Sequence, residues 1–356
     1  MNEIKKIAFV IPSLSAGGME RIMSEIINYI TKKPNIETHL IVLTNNEFFY
    51  SIDKNVQIYQ PPFSFNPRFR FYYTMKTLFF LRNRLRTIKP FSVLSFGETY
   101  NSFVLLATWG IKTKVYISDR SKPDKDWGYF HNNLRKILYK KAAGIISQTS
   151  YSKNFLIKET QNKNIKIIPN PIDLNKYQTS LKKENVILNV GRLISTKRID
   201  ILLDCFSKIE NQNWQLWIVG DGPLRKYLED IAKKLDISNN VKFWGTQNNI
   251  APFYLKSKIF AFTSFSEGFP NALLEAIAAG LPTIAFNCIA GPSDLVKNGE
   301  NGFLISQGDT ETYLQKLKEL IENETLRNTF SENAIEIAQS YKLEKIGEEY
   351  LNFLLS

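Results

Sequence analysis

Short apolar runs rich in β-branched residues alternate with stretches of helical periodicity along the whole chain. This alternation is typical of parallel sheets joined by crossover helices, so it predicts an α/β protein with two doubly wound domains. In the first half the predicted strands are Ile7–Ile11, Leu40–Leu43, Val93–Phe96, Val115–Ser118, Ile145–Ser147 and Ile165–Ile168. In the second half they are Val186–Val190, Gln215–Val219, Val241–Phe243, Ile259–Phe262, Thr283–Ala285 and Phe303–Ile305.

The alternation breaks at Pro169–Asp173 and in the polar stretch that leads to Asn185. Pro-rich and polar segments of this kind separate domains, and 356 residues are enough for two domains of ordinary size. We therefore predict an N-terminal domain over residues 1–170 and a C-terminal domain over 171–340.

Charge is distributed unevenly between these two parts, although the whole chain has a net charge of +12. Residues 1–170 carry 26 Lys and Arg against 11 Asp and Glu, whereas residues 171–356 carry 20 against 23. Such asymmetry predicts that the first half faces an anionic partner, which could be a membrane surface, a nucleic acid or a phosphorylated substrate.

Composition excludes several other classes of protein. Cys205 and Cys288 lie far apart without metal-ligand spacing, which argues against a disulfide framework or a zinc site and favours a reducing cytosol. The N-terminal apolar run is short and ends at Pro12, so it predicts a buried strand instead of a signal peptide. No apolar stretch reaches the ~18 residues needed to span a bilayer, so we expect a cytoplasmic protein that is not integral to a membrane.

The segment 264–282 places two carboxylates around a predicted helix start. Glu267 lies in the loop that follows a strand, and Pro270 suits the first helical turn. Glu275 lies further along this helix among apolar residues, so we expect it to be partly buried and to need a partner. Because helix N-termini and the carboxyl edges of parallel strands both attract anionic ligands, the segment predicts a ligand site.

Two other strand-to-helix loops carry groups that suit an anionic ligand. Arg192 and Lys197 project from one loop and could both reach a diphosphate, the Arg as a planar fork and the Lys as a mobile charge. Gly17 and Gly18 join the first strand to the first helix, where the lack of side chains lets a ligand approach the backbone. Taken alone, the first loop is better explained as one with solvated cations, and the second could be an ordinary tight turn.

These motifs together resemble the retaining nucleotide-sugar glycosyltransferases of the GT-B fold (glycosyltransferase family 4-like, group 1). Glu267 and Glu275 have the family's spacing of seven intervening residues, and the Gly220-Asp-Gly222 turn also matches, in a structural role. The resemblance covers most of residues 186–305 and the start of the chain. It implies two Rossmann-like domains facing each other across a cleft, with a terminal helix, 341–356, that packs back on the first domain.

The resemblance also implies a role for each residue. Arg192 and Lys197 would bind the donor diphosphate and Glu267 would bind the donor sugar, and these three residues would form the catalytic group. Glu275 would hold the ribose hydroxyls. The other implied donor-binding positions are Gly17, Gly18, Gly191, Gly268, Phe269 and Pro270. With two cations available for the departing diphosphate, we predict chemistry without a metal or cofactor. The Asp-x-Asp at 124–126 is interpreted as a solvated turn.

One loop departs from the family pattern. Many relatives carry a histidine in the first-domain loop near the donor sugar, whereas this chain has Ser118-Asp119-Arg120, and neither His39 nor His131 lies there. A subset of these transferases has Ser-Glu-Arg at this place. We therefore predict that Arg120 lies in the active site and holds donor phosphate or acceptor pyrophosphate.

Residues 68–89 contain seven Lys or Arg and no acid. Helical spacing puts Phe71, Met75, Leu78, Phe79, Arg82 and Leu85 near one side, as in a helix that lies in a membrane interface. The membrane-facing candidates are Arg68, Arg70, Lys76, Arg82, Arg84 and Arg86. A core helix with a basic outer face explains the pattern equally well. Nucleic-acid binding ranks third because no reader motif accompanies the charge, and we expect no nucleic-acid partner.

The expected function is transfer of a hexose or N-acetylhexosamine from a UDP-sugar, with retention, at the inner face of the cell membrane. By resemblance to bacterial N-acetylgalactosaminyl-type transferases, the acceptor would be a lipid-linked glycan or polysaccharide in surface glycan biosynthesis. Two alternatives stay open. A sugar-nucleotide epimerase on the same fold would convert the donor without an acceptor, and a non-catalytic membrane adaptor would bind no donor.

Overall fold

The computed structural model describes residues 4–210 and 213–356, which form two compact units. The first unit contains Met1–Pro171 together with Leu343–Ser356, and the second contains Ile172–Lys342. In each unit a parallel sheet is covered by apolar clusters on both faces.

The sheet of the first unit is doubly wound. Its strands are β1 Lys5–Ile11, β2 Ile36–Val42, β3 Gln57–Tyr59, β4 Ser92–Phe96, β5 Lys114–Ser118, β6 Gly144–Ser147 and β7 Ile165–Ile167. The spatial order is β3-β2-β1-β4-β5-β6-β7, and all recorded pairings are parallel. The connecting helices are α1 Gly18–Ile30, α2 Arg70–Ile88, α3 Glu98–Ala107, α4 Tyr129–Tyr139 and α5 Ser150–Thr160. The order reverses direction at β1 and β4, whose carboxyl ends mark the switch point where such sheets bind ligands.

The second unit repeats the pattern with its own sheet. Its strands are β8 Val186–Val190, β9 Gln215–Val219, β10 Val241–Gly245, β11 Ile259–Phe262, β12 Thr283–Phe286 and β13 Gly302–Ile305. The order is β10-β9-β8-β11-β12-β13, again parallel, so its switch point lies between β8 and β11. The helices are α6 Ile199–Ser207, α7 Arg225–Lys234, α8 Ala251–Lys256, α9 Asn271–Ala278, α10 Pro292–Leu295, α11 Thr310–Glu322 and α12 Glu324–Ala338.

The last helix, α13 Leu343–Leu355, belongs to the first unit. The ring of Phe353 lies 5.0 Å from that of Tyr116 on β5. Gly347 faces Tyr29 of α1 so closely that a Cβ there would come 2.3 Å from the Tyr29 ring. The final segment of the chain therefore completes one face of the first sheet, where it shares a core cluster with α1.

The strand predictions are confirmed in both units, because every predicted run overlaps an observed strand. The central strands β4 and β11 are buried along their full length, as expected for strands covered on both faces. The sequence analysis missed β3, an edge strand whose three residues include no buried side chain. A strand this short and exposed leaves no apolar run to detect.

The helix predicted over 68–89 forms as α2, and its buried side is not the aromatic-rich one. Thr77, Leu81, Leu85 and Ile88 face the core, whereas Phe71 is 81% exposed. Packing against the sheet follows the i, i+4 ridge from Thr77, a ridge that the aromatic-rich sequence obscured. Across residues 4–210 and 213–356, no helix combines the length and the apolar character that a membrane crossing requires.

Candidate functional site

Two loops meet at the carboxyl edge of the second sheet. The loop after β8 contains a 3-10 turn, Ser195–Lys197, and the loop after β11 leads to α9. The backbone N–H of Phe265 donates to the Thr196 carbonyl at 2.7 Å, and the Thr263 hydroxyl donates to the Lys197 carbonyl at 2.9 Å. These bonds join the loop that carries the cations to the loop that carries Glu267.

Lys197 and Glu267 form a direct ion pair as a result. The Lys197 Nζ lies 2.5 Å from Glu267 Oε1, and the two side chains are 21% and 12% exposed. A charge-assisted hydrogen bond in a partly buried place is stronger and better defined than a surface pair. The structure therefore brings together Lys197, which is predicted to bind the donor diphosphate, and Glu267, which is predicted to bind the donor sugar. Each side chain fixes the position of the other.

Arg192 lies in the loop with Lys197 but is exposed. Within the described part of the chain it makes no side-chain hydrogen bond or ion pair. Its loop is held instead by the backbone, since Gly191 N donates to the Val219 carbonyl at 3.0 Å and Leu193 N to the Asp221 carbonyl at 3.0 Å. The guanidinium is thus available to an anion while its backbone is fixed.

Gly220 and Gly222 allow the Arg192 loop to pack closely against the turn that follows β9. Gly220 has φ +128°, and a Cβ there would lie 2.0 Å from the carbonyl oxygen of Gly191. A Cβ on Gly222 would lie 2.5 Å from the carbonyl oxygen of Leu193. Both contacts are with backbone, which cannot move aside cheaply, so the turn after β9 must lack side chains for the Arg192 loop to pack on it.

Glu275 is buried on α9, with 4% of its surface exposed. Its Oε2 accepts a hydrogen bond of 2.9 Å from the hydroxyl of Tyr254, which also lies 3.2 Å from the Ala272 carbonyl. The prediction of a buried carboxylate with a partner is confirmed, whereas its ribose role stays a prediction. Sequence reasoning missed Tyr254, because nothing in the local pattern of α8 distinguishes it from a core tyrosine.

The turn between Glu267 and α9 is supported from the neighbouring loop. The Phe269 side chain enters the core, Gly268 is half-buried, and Pro270 is the N-cap residue of α9. Gly291 has φ +109°, and a Cβ there would lie 2.3 Å from Pro270 Cδ. The backbone at 268–270 therefore belongs to a firmly packed turn, and its contact with the donor stays a prediction.

Cys288 lies beside this pair of loops. Burial, aided by the negative charge of Glu267, raises the pKa of its thiol to about 12. A thiol held protonated in this way is a poor nucleophile, so the structure offers no thiolate at the site.

Gly17 and Gly18 lie in the first unit, where Gly17 caps α1 and Gly18 begins it. The Tyr50 hydroxyl donates to the Gly17 carbonyl at 3.0 Å and accepts from the Gly17 N–H at 3.2 Å. A Cβ on Gly17 would come 2.2 Å from a carboxylate oxygen of Glu20. Tyr50, which the sequence analysis did not single out, therefore fixes the backbone of this loop.

Arg120 is engaged by groups of the first unit. Its Nη1 donates to Asn170 Oδ1 and its Nη2 to the Tyr350 hydroxyl, both at 2.7 Å, while its guanidinium stacks 3.5 Å from the centre of the Phe96 ring. Burial lowers its pKa from the usual arginine value. Since both terminal nitrogens already have acceptors in the first unit, this arrangement does not itself favour phosphate binding, and that role stays a prediction.

A buried polar network lies next to Arg120. Asp119 accepts hydrogen bonds from Tyr139 at 2.7 Å and from Asn101 at 3.0 Å. Burial raises the Asp119 pKa to about 6, against the opposing effect of Arg135. Glu98 accepts from the backbone N–H groups of both residues that follow Asp119, so it shapes this loop.

The predicted membrane-facing cations divide into two groups. Arg68, Arg70, Lys76, Arg84 and Arg86 are exposed. Arg82 is half-buried, and its Nη1 donates to the carbonyls of Ala107 and Trp109 at 2.8 and 2.7 Å. Arg82 therefore caps the C-terminal end of α3, where cations stabilise free carbonyls, and this contact does not favour the predicted membrane-facing role.

The acidic turn at 124–126 is engaged locally. Asp124 pairs with Lys122 at 3.2 Å, and Asp126 accepts from Gly128 N and from Asn132 at 2.8 and 2.7 Å. In the parts of the chain that the structure describes, no three His, Cys, Asp or Glu side chains cluster as a metal site would need.

The chain matches two family models, "Glycosyl transferases group 1" over residues 172–337 and "Glycosyltransferase Family 4" over residues 16–176. It is 31% identical to an uncharacterized glycosyltransferase of Haemophilus influenzae, over 99% of this chain and 100% of that one. It is 29% identical, over 98% of both chains, to a Campylobacter jejuni alpha-1,4-N-acetyl-D-galactosaminyltransferase named for a glycan on PP-undecaprenol.

Among solved structures, Anabaena HepE in complex with UDP matches with a TM-score of 0.81 at 19% identity, over 98% of this chain and 99% of that one. With the two parallel-sheet units, this likeness confirms the predicted GT-B fold. The chain therefore belongs to the group 1 glycosyl transferases and is a glycosyltransferase.

Proposed function

We propose that the chain transfers a hexose or N-acetylhexosamine from a UDP-sugar, with retention of configuration, to a lipid-linked or polysaccharide acceptor in bacterial surface glycan biosynthesis. The observation that carries the proposal is the contact between Lys197 and Glu267 at the switch point of the second sheet. It sets a cation and a carboxylate side by side where parallel sheets bind ligands, with the exposed Arg192 on the same loop.

In the proposed reaction, the bond between the sugar C1 and the diphosphate oxygen breaks while the acceptor oxygen bonds to C1 on the same face. Arg192 and Lys197 neutralise the charge that grows on the departing UDP, and such electrostatic stabilisation usually accelerates a reaction more than any other single effect. Glu267 holds the sugar and Glu275 the ribose hydroxyls, while the backbone at Gly191, Gly268, Phe269 and Pro270 contacts the donor. We assign no protein nucleophile, metal or cofactor to the reaction.

Relatives support the donor and acceptor classes in this proposal. HepE was solved with UDP, and the Campylobacter jejuni enzyme is named for an acceptor on PP-undecaprenol. We extend the UDP-linked donor and the lipid-linked acceptor to this chain, and we propose that it works at the inner face of the cell membrane. The exposed cations and aromatic residues of α2 would meet anionic lipid there.

Nucleotide binding tests the donor assignment. We expect UDP and UDP-sugars to raise the melting temperature, because a ligand present at a hundred times its Kd stabilises the folded state by ~2.7 kcal/mol. ADP and GDP serve as controls in the same thermal-shift panel and should give smaller shifts. A chain that responds to no nucleotide would be the non-catalytic adaptor instead, and formation of an epimer from donor alone would identify the epimerase.

Vesicle sedimentation tests the membrane assignment separately. We expect the protein to co-sediment with phosphatidylglycerol vesicles at low salt and to be released at about 0.5 M salt, because screening weakens surface attraction. Replacing both Arg68 and Arg84 with Gln should weaken binding several-fold, whereas Arg82→Gln should not, since Arg82 faces α3. Absence of binding at low salt would overturn the membrane assignment and leave the transferase proposal intact.

A further inference from the structure

A groove of about 830 Å³ lies at the amino-terminal edge of the first sheet. The starts of β1 and β5, the segment that leads into β4 and the C-terminal end of α2 form its wall. Because these strands run parallel, this edge lies opposite the carboxyl edge, where Gly17 and Arg120 follow their strands. None of the residues assigned to the transfer reaction lines the groove.

Lysine supplies all the charged side chains that line this groove, which we call the lysine groove. They are Lys5, Lys6, Lys89, Lys112 and Lys114. The described lining residues include no Asp or Glu, and the sequence has none over 86–97 or 107–118. Like charges gathered in this way repel one another, so a bound anion would stabilise the arrangement.

Two of the lysines are available to a ligand. Lys89 and Lys112 are exposed, and in the described part of the chain their side chains make no hydrogen bond or ion pair. Lys6 forms only a long ion pair, 3.9 Å from Glu37. The positive charge of the groove is therefore largely uncompensated by the side chains that the structure describes around it.

Two other lysines are held in place by one aromatic ring. The Nζ atoms of Lys5 and Lys114 lie 4.6 and 5.3 Å from the centre of the Phe91 ring. A cation over a ring face is attracted to it, so both ammonium groups are partly ordered before a ligand arrives and less freedom is lost on binding. The lysines also cover the ring, which leaves that face closed to a stacking nucleobase.

The threonines of the groove do not add free donors. Thr113 donates its hydroxyl hydrogen to the Pro90 carbonyl at 2.8 Å, and Thr87 donates its own to the Asn83 carbonyl at 3.0 Å. The side-chain donors left to a ligand are therefore the lysine ammonium groups. Such a wall suits a ligand that carries negative charge and offers acceptor oxygens.

An adjoining groove of about 400 Å³ extends the lysine groove, because Thr113 and Lys114 line both. Lys141 contributes a further cation there, and its Nζ lies 3.8 Å from the centre of the Trp109 ring. The cations thus continue from one groove into the next. This length favours an extended anion over a single phosphate ion.

We propose that the lysine groove and its extension bind a soluble oligophosphate, a chain of linked phosphate groups. Such a ligand brings several negative charges and many acceptor oxygens into one groove, where lysines act as mobile point charges. A phosphatidylglycerol headgroup carries a single phosphate at a flat surface, so it would engage fewer of these lysines at once. The site does not depend on the proposed function, since it shares no residue with the donor site.

Isothermal titration of the full chain with sodium tripolyphosphate and with inorganic phosphate, at low salt and with UDP in saturating amount, tests the groove. UDP keeps the donor site from binding either probe. We expect tripolyphosphate to bind at least tenfold more tightly than phosphate. Raising the salt to about 0.5 M should weaken this binding, because screening acts strongly on exposed charges.

Substitution of the two available lysines locates the binding. Lys89→Gln combined with Lys112→Gln should weaken tripolyphosphate at least fivefold, since two exposed contacts are lost and each contributes modestly. Lys233→Gln combined with Lys234→Gln removes the same charge from the exposed end of α7 in the second unit and should leave the affinity unchanged. Both double variants should keep the wild-type melting temperature, because all four side chains are exposed.

Equal affinity of the wild-type chain for the two probes would overturn the proposal, as would a tripolyphosphate affinity that the Lys89 and Lys112 substitutions leave unchanged. A variant at these two lysines that binds tripolyphosphate normally but no longer sediments with phosphatidylglycerol vesicles would assign them to a lipid surface instead. A chain that binds tripolyphosphate through these lysines but does not bind UDP would contradict the proposed function and leave the lysine groove in place.

Discussion

Lys197→Gln should lower kcat by about 10²–10³, the loss seen when one group that stabilises developing negative charge is removed. The substitution removes the charge and leaves an amide donor on a side chain one atom shorter, so Glu267 can keep a neutral partner while the departing diphosphate loses a cation. Because the effect arises as the bond to the diphosphate breaks, we expect kcat to fall more than the affinity for UDP. Steady-state kinetics with the donor identified by thermal shift, together with a UDP titration, measures both.

Lys208→Gln is the matched control for this substitution. Lys208 also pairs with a carboxylate, Asp204, at 2.7 Å, but on an exposed surface where the two side chains are 54% and 49% exposed. Exposed pairs contribute little, so this variant should keep wild-type turnover. A Lys197→Gln enzyme whose kcat stays within threefold of wild type would remove Lys197 from the catalytic group.

Gly220→Ala should lower the melting temperature by about 4–8 °C and weaken UDP binding. The positive φ of Gly220 costs a residue with a Cβ ~1–3 kcal/mol, and the added carbon would also meet the Gly191 carbonyl at 2.0 Å. To relieve that contact, the loop that carries Arg192 must move off the turn after β9. Differential scanning calorimetry gives the first quantity, and a UDP titration gives the second.

Gly308→Ala separates the two causes of this effect. Gly308 has φ +87°, yet a Cβ there would meet nothing within 4 Å, so its substitution measures the backbone cost alone. We expect a smaller fall in melting temperature and unchanged UDP affinity. If Gly220→Ala were no more damaging than Gly308→Ala, the contact with Gly191 would not be what holds the Arg192 loop.

Much of the fold could be predicted from the sequence because buried parallel strands are short, apolar and regularly spaced. The carboxylate of α9 was equally visible, since Glu275 interrupts a helix that is otherwise apolar. What escaped prediction were contacts between segments distant in the chain. Tyr254 reaches Glu275 across 21 residues, and Tyr350 reaches Arg120 across 230, so neither contact leaves a local pattern.

Arg120 shows what local pattern and resemblance leave out. An arginine at the end of a parallel strand is well placed for a phosphate, and the sequence contains no sign of the groups that occupy it. The structure adds the Phe96 ring beneath its guanidinium and two acceptors from far along the chain. The buried face of α2 stayed open for a similar reason, because hydrophobicity alone does not show which of its many apolar residues meet the sheet.

The place of α13 in the first unit has a consequence for synthesis on the ribosome. The core of that unit includes Ile346, Tyr350 and Phe353, so its packing needs residues translated after the whole of the second unit. The second unit is continuous from Ile172 to Lys342 and can close as soon as it emerges. We therefore expect the second unit, although it is translated later, to reach its native state first. The first unit stays incomplete until α13 has been translated.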